Sequence, residues 1–455
     1  MKQANEQTNK QTKNKRNITL LLVVLGVMLL AFLVACGNDQ TPPANEGGAG
    51  TDEEQTNNEH EGPFVVFGVI SDEGYWAEIW RRAEEEFPHL DIEYTNFTSE
   101  RFAELFTAAR HSGEQIDVMI LNAQDLRRYA TAGDLVPMCD VPFLDRFTEI
   151  GIKTFTIQDR LWALPIGSAG GFTIFWNQTV LDSIGESYPE TYEDLVRIGQ
   201  RLGEEGISAF THAGQNIYLW PVWFFSTYAQ TTNNMSLEYT IETLQGYRKF
   251  TDPEVVEALD LVFQFARDGL FIEGINSTDG DASLSNMITG RAVFALGLNW
   301  RAVLEATDGS IELGVGLLPY LTPGRVQPQY PGGPGLALTI FSGATPERQA
   351  TALAFLDFFT SDDNVQFLAN EANWAAPSNV NVRAEGINPL MEYFSDNVAE
   401  HLVTYLDWYW PPEITRAFQE GIQAGVALQR TAEEVAQDIQ DEFDRLVAAG
   451  YEFVD

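Results

Sequence analysis

Apolar and polar positions alternate along the chain between two periods, beginning near residue 64. "FVVFGVI" (64–70) is a continuous apolar run, the pattern of a strand buried on both faces. In "YWAEIWRRAEEEF", Trp76, Ile79, Trp80, Ala83 and Phe87 recur at helical spacing and form one face, which Pro88 ends. "LDIEYTNF" predicts a second strand. "SERFAELFTAARHSG" predicts a helix with Ser99 as N-cap and Gly113 just past its end. "DVMILN" (117–122) predicts a third strand, and "AQDLRRYATAGDL" a helix closed by Gly133. This alternation predicts an α/β fold with a parallel sheet, in which ligands gather at the C-terminal ends of the strands. Those ends are Ser71-Asp72-Glu73, Thr98-Ser99 and Asn122 through Asp125.

Further on, "LWALPIGSAGGFTIFWN" (161–177) is apolar strand material broken by small residues. "ETYEDLVRIGQRLGEEG", "PEVVEALDLVFQFARDG", "TPERQATALAFLDFFTS" and the last acidic segment, "TAEEVAQDIQDEFDRLVAAG", predict amphipathic helices. "MITGRAVFALGLNW" (287–300) sets a Trp just beyond an apolar run, either as core filling or as an aromatic face left open for a ligand. "PYLTPGRVQPQYPGGPG" (319–335) holds five Pro and four Gly, the composition of a hinge, a linker or a ligand-touching loop.

The N-terminal region changes the picture. Lys10, Lys13, Lys15 and Arg16 precede an apolar run of 18 residues that leads to Cys36, an export pattern. Leu33-Val34-Ala35-Cys36 resembles a bacterial lipobox, which implies cleavage before Cys36 and acylation of its thiol. An uncleaved membrane anchor is the alternative. Residues 37–62 are almost devoid of apolar side chains and read as a disordered tether. Either way the remainder faces the exterior, and a lipidated Cys36 leaves Cys139 without a disulfide partner. The net charge is −39; the first 35 residues carry five basic groups against one acidic, a net of +4, which leaves −43 for the rest. Such a surface repels nucleic acid and anionic lipid.

Catalytic signatures are missing from the sequence. It has no His-Glu-x-x-His, no Walker A loop and no dinucleotide-binding glycine fingerprint. In "PIGSAGG", Ile166 stands where a nucleophile elbow has its first Gly. "DGDASLSNMITG" starts like a calcium loop, but Leu284 and Gly290 replace its turn Gly and closing Glu. The five His (60, 89, 111, 212 and 401) have no ligand spacing, so no metal or cofactor is expected.

Six stretches in order resemble the family 1 extracellular solute-binding proteins, the maltodextrin-binding type that serves bacterial ABC sugar importers. They are "EEEFPHLDIEY", "RFAELFTAARHSGEQIDVMILNAQDLRRYATAGDLVPM", "RLWALPIGSAGGFTIFWNQTVLDSIG" with "PETYEDLVRIGQRL", "MITGRAVFALGLNW", "ATALAFLDFFTSDDNVQFL" and "AAPSNV". The resemblance spans about residues 62 to 455. It implies a periplasmic-binding-protein-like fold, two α/β lobes joined by a hinge with the ligand cleft between them. The first lobe would be 62–165 plus 329–378 and the second 166–328 plus 379–455, after a signal peptide (1–35) and a lipidated tether (36–62).

The resemblance also implies site residues. Trp300 matches the family's aromatic platform, and Trp220, with Trp223 beside it, matches a second cleft position. Asp72 and Asp125 match positions that hydrogen-bond sugar hydroxyls, although both also read as solvated acids or helix N-terminal charges. Glu73 stands where a maltodextrin binder has a basic residue, and Asn122 and Ile217 where it has aromatics. These departures argue against maltodextrin and leave carbohydrate as the leading class. Ser168 is a further candidate contact. Gly332 and Gly333 allow close backbone approach to a ligand or simply form a flexible loop. Trp410, with Trp408, adds a third platform or packs the last helices.

The function implied is a lipid-anchored, monomeric, non-enzymatic receptor that hands a mono- or oligosaccharide to an ABC permease. One alternative is a polyol, glycoside, carboxylate or phosphate ester as ligand, with Arg301 available for an anion. A more distant one is a surface glycan-degrading enzyme, since a carboxylate pair formed in space leaves no sequence signature.

Overall fold

The computed structural model describes residues 62–297, 303–304, 311–322, 324, 329–451 and 453. Two main sheets stand out. The first is built on β1 (Phe64–Gly68), β2 (Ile92–Asn96) and β3 (Val118–Asn122), parallel and in the order β2-β1-β3. Parallel neighbours need a crossover, and the helices Tyr75–Glu86 and Ser99–Ser112 supply it. All of β1 and the first four residues of β3 are buried, as expected of parallel strands covered by helices. The edge strand β2 is partly exposed.

Helix Tyr75–Glu86 buries Trp76, Ile79 and Ala83, while Trp80 stacks on Tyr94 with ring centroids 4.1 Å apart. The next helix is preceded by Thr98 as the capping residue, one position earlier than Ser99, and Gly113 ends it with φ 71°. Beyond β3 the chain makes a 3₁₀ turn, Ala123–Asp125, before helix Leu126–Thr131.

A short hairpin, β4 (Thr156–Ile157) and β5 (Arg160–Leu161), leads into β6 (Leu164–Gly171). β7 (Ile174–Asn177) follows after two residues but belongs to the other sheet, so the 161–177 stretch is divided between the two. That second sheet adds β8 (Ser208–His212), β9 (Ala292–Leu296) and β10 (Leu313–Gly316) in the order β10-β7-β9-β8. From β10 the chain returns through residues 317–329 to β11 (Tyr330–Ile340) of the first sheet. β11 pairs with β3 along its second half, with β6 along most of its length, and at its start with β12 (Leu402–Val403). A third passage runs from helix Asp362–Glu371 to helix Pro389–Asn397.

Each sheet has its own core. One hydrophobic cluster runs from Phe64 to Ile166 and from Ala337 to Phe359, with Leu368. The other runs from Ile174 to Tyr330 and from Val365 to Leu446. Trp374 and Trp408 pack against both. These are two α/β lobes with three connections.

The first lobe is closed by a buried ion pair. Arg348, on the helix Pro346–Phe359, donates from Nε and Nη2 to the two carboxylate oxygens of Asp117, each at 2.6 Å. Asp117 also accepts from the Val65 N–H at 2.8 Å and from Gln115 Nε2 at 2.9 Å. Its side chain is fully buried and that of Arg348 is 8% exposed. With every lone-pair direction engaged, the desolvation cost of the pair is offset and the distant helix is locked to the start of β3.

Candidate functional site

Side chains of the segment that follows β12 bridge the two lobes. The guanidinium of Arg127, in the first lobe, lies 4.7 Å over the ring of Tyr409 in the second. Tyr405 packs against Phe172, in the first passage between the lobes, with ring centroids 5.9 Å apart, and against Trp408 at 4.7 Å. Trp408 is partly exposed and touches both cores. The junction is therefore lined by aromatic faces.

Asn122 and Asp125 lie on the first lobe's side of this junction. Asn122 ends β3, and Asp125 sits in the turn directly after it. The Asn122 amide donates to the Asp125 carboxylate. Burial raises the Asp125 carboxyl above its ordinary value, and the bond from Asn122 and the charge of Arg128 offset this only in part. Asp72 and Glu73 are exposed beyond the end of β1, with the Glu73 N–H donating to Ser71 Oγ at 3.0 Å. Close by, Tyr94 donates its hydroxyl to the Ile70 carbonyl, and burial followed by the Asp72 charge pushes that hydroxyl's pKa upward.

Other expected contacts are placed elsewhere. Trp220 and Trp223 have no solvent exposure and belong to the second lobe's core. The Trp220 indole donates to the Gly214 carbonyl at 3.1 Å and its ring lies 4.6 Å from His212. Trp223 is packed edge-on among Phe210, Phe265 and Phe271. Neither presents a face to a ligand here: Trp220 precedes the helix Pro221–Thr231 and is itself fully buried, and Trp223 lies within that helix, which is buried on every side. Trp410 is also a core residue, stacked on Phe418 at 4.1 Å with 10° between the planes. Of the two Trp in "LDWYWPP", the structure opens Trp408 and closes Trp410.

Ser168 fastens one connection to another: its Oγ accepts from the Ala376 N–H at 3.1 Å, beside a bridge between Ser168 and Pro377. Gly332 and Gly333 do allow close approach, but to the protein's own chain, since they pair with Gly171 and Gly170 of β6. A Cβ at Gly171 would lie 2.8 Å from a Leu402 methyl and 2.9 Å from the Pro331 carbonyl oxygen. Small residues are thus needed where the connections cross.

Trp300, Arg301 and Cys36 lie outside the described residues. The strand leading to Trp300 is anchored by His212, whose Nδ1–H donates to the Leu296 carbonyl at 2.9 Å. Burial lowers the His212 pKa to about 4, so the imidazole is neutral. No group of acidic, His or Cys side chains among the described residues is arranged to hold a metal ion.

Arg127, Phe172, Tyr405, Asp407 and Tyr409 were not singled out by their sequence pattern. The aromatic density of "TYLDWYWPP" (404–412) is the signal that points to this segment.

The fold and sequence have counterparts. The chain is similar in structure to a family 1 extracellular solute-binding protein from Bifidobacterium longum subsp. infantis, with a TM-score of 0.73 at 16% identity, covering 85% of this chain and 99% of that one. A chitin oligosaccharide binding protein gives 0.66 at 17% identity, covering 82% and 95%. The solute-binding protein RafE in complex with raffinose gives 0.64 at 18%, covering 84% and 99%. No curated protein matches the sequence. The model of the family described as bacterial extracellular solute-binding protein matches residues 78–389. That match takes in strands of both sheets and more than half of the chain, so this protein belongs to the bacterial extracellular solute-binding proteins.

Proposed function

We propose that the protein is a lipid-anchored receptor that captures a saccharide between its lobes and delivers it to an ABC permease. The lobes are 62–165 plus 329–378 and 166–328 plus 379–455, and two separate hydrophobic cores support that division. One observation carries the reading: Trp408 is partly exposed and packs against both cores, next to Tyr409, over whose ring the first lobe's Arg127 lies. Aromatic faces pack against the C–H surface of a sugar ring while a few well-placed polar groups bind its hydroxyls. The binding of raffinose and chitin oligosaccharide by structural neighbours is in keeping with this ligand class. Trp300 remains a second stacking candidate, and Asp72 and Glu73 the polar rim of the first lobe.

Capture is hinge closure, in which ligand stabilises the closed state through its differential affinity. Anchoring rests on the lipobox-like Leu33-Val34-Ala35-Cys36. The experiment is a thermal shift of the full chain in detergent against mono- and oligosaccharides, with scattering to follow compaction. Ligand at 100 times its dissociation constant should stabilise the fold by about 2.7 kcal/mol. A panel that produces neither shift nor compaction sinks the saccharide reading, and a mature chain whose Cys36 carries no acyl group by mass spectrometry sinks the lipid anchor.

A further inference from the structure

A cavity of about 470 Å³ lies at the connections between the lobes, and charges from both lobes line it. The first lobe contributes Glu149, Ile150 and Lys153, on the helix Glu149–Thr154. Pro377, in the third passage, supplies part of the wall. The second lobe contributes Glu400 and Leu402.

The helix is set between the two cores. Ile152 packs against the first and Ile150 against the second. Its far end rests on the crossing of β6 and β11: a Cβ at Gly333 would lie 3.1 Å from Thr154 Oγ1. Lys153 therefore projects from an element that belongs to one lobe and touches the other.

Two charge separations at this cavity respond differently to hinge motion. Glu149 and Lys153 stand four residues apart on one helix, so their spacing does not depend on the hinge. Lys153 Nζ lies 2.9 Å from Glu149 Oε1, and that bond holds the Glu149 carboxyl below its ordinary value. The separation of Lys153 from Glu400, by contrast, runs from lobe to lobe and changes whenever the lobes rotate. Glu400 has no Lys or Arg partner among the described residues, and His401 Nε2, 3.5 Å away, carries charge only when protonated. The side chains are largely exposed, 60% for Lys153 and 74% for Glu400, so the ammonium on its flexible stem can change partner without breaking a packed contact.

We propose that Lys153 is a hinge switch, held by Glu149 when the cavity is wide and shared with Glu400 of the opposite lobe when the cavity narrows. The inference rests on the hinge motion of the capture reading. Sharing favours the hinge angle at which the cavity is narrow, and ligand affinity follows the population of the competent angle. Solvent screens the pair, so the switch tunes affinity a few-fold and does not act as an on–off control.

The test is a double-mutant cycle on the full chain in detergent, read by calorimetric titration with the saccharide that gives the largest thermal shift. Lys153→Gln and Glu400→Gln should each change the dissociation constant about two- to fivefold and in the same direction. The double variant should change it no further than the larger single one. Glu149→Gln, which releases Lys153, should change it in the opposite direction. Additive or opposed effects of the first two variants overturn the switch, as does a Glu149→Gln effect in their direction. A second arm needs no ligand: a short bis-maleimide should join Lys153→Cys to Glu400→Cys, with mass spectrometry identifying the linked peptides. Failure to join positions 153 and 400 overturns the switch whether or not a saccharide binds. If they join while the wild type binds no saccharide, the charges still meet across the hinge and the capture reading alone falls.

Discussion

Asp117 and Asp407 are both carboxylates enclosed by protein, and the chain treats them in opposite ways. Asp117 receives two bonds from Arg348, one from Val65 and one from Gln115. Asp407 has its own N–H, and its Oδ1 has no partner among the described residues. The first binds elements far apart in sequence into one lobe, and every acceptor site is used within the molecule. The second stands in the turn that carries Trp408, which packs against both cores. A buried charge that is saturated from within belongs to the fold, whereas one left short of partners carries a desolvation cost.

The largest effect should come from breaking the saturated site. Asp117→Ala leaves Arg348 buried and uncompensated, and denaturant unfolding should show a loss of about 3–5 kcal/mol. A loss below about 1 kcal/mol would erase the contrast between the two carboxylates.

The two neighbouring Trp extend the comparison. Trp410→Ala should cost about 3–5 kcal/mol, because Trp410 is stacked in the core against Phe418. Trp408→Ala should cost less than half of that, since part of its surface is already exposed, yet it should abolish saccharide-induced thermal stabilisation. Equal destabilisation by both variants would make Trp408 a plug between the lobes instead of a binding surface.

A gradual effect is the pH dependence contributed by His212. Folded, it takes up a proton only near pH 4; unfolded, near 6.5. Between those values the unfolded chain holds more protons, so stability is full above about 6.5 and falls as pH drops toward 4. The loss is on the order of 3 kcal/mol at most. Urea unfolding at several pH values should give a shallower decline for His212→Gln than for the wild type across this window.

Much of the first lobe was legible because its signals are local. The run at 64–70, the spacing of Trp76, Ile79 and Ala83, and the left-handed Gly113 each act within one or two turns of chain. The aromatic candidates were less legible, since Trp220, Trp223, Trp408 and Trp410 all sit in aromatic-rich stretches. Periodicity shows that a helix is amphipathic only when one face is wet, and Pro221–Thr231 is buried all round. In the same way, "PGGPG" announces freedom from a Cβ without naming the neighbour that needs it. That neighbour is β6.

By itself, the sequence determined the strand–helix order, the acidic surface, the export-like N-terminus and the family wording. These depend on residues close together in the chain or on composition, neither of which requires a partner to be named. Only the tertiary structure decided that Asp117 meets Arg348, that Trp408 is open while Trp410 is closed, and that Asp407 Oδ1 finds no partner among the described residues. Each of these depends on which surfaces are brought together from segments hundreds of residues apart or from opposite lobes. Satisfaction of a buried polar group is a property of that three-dimensional neighbourhood and has no period in the chain.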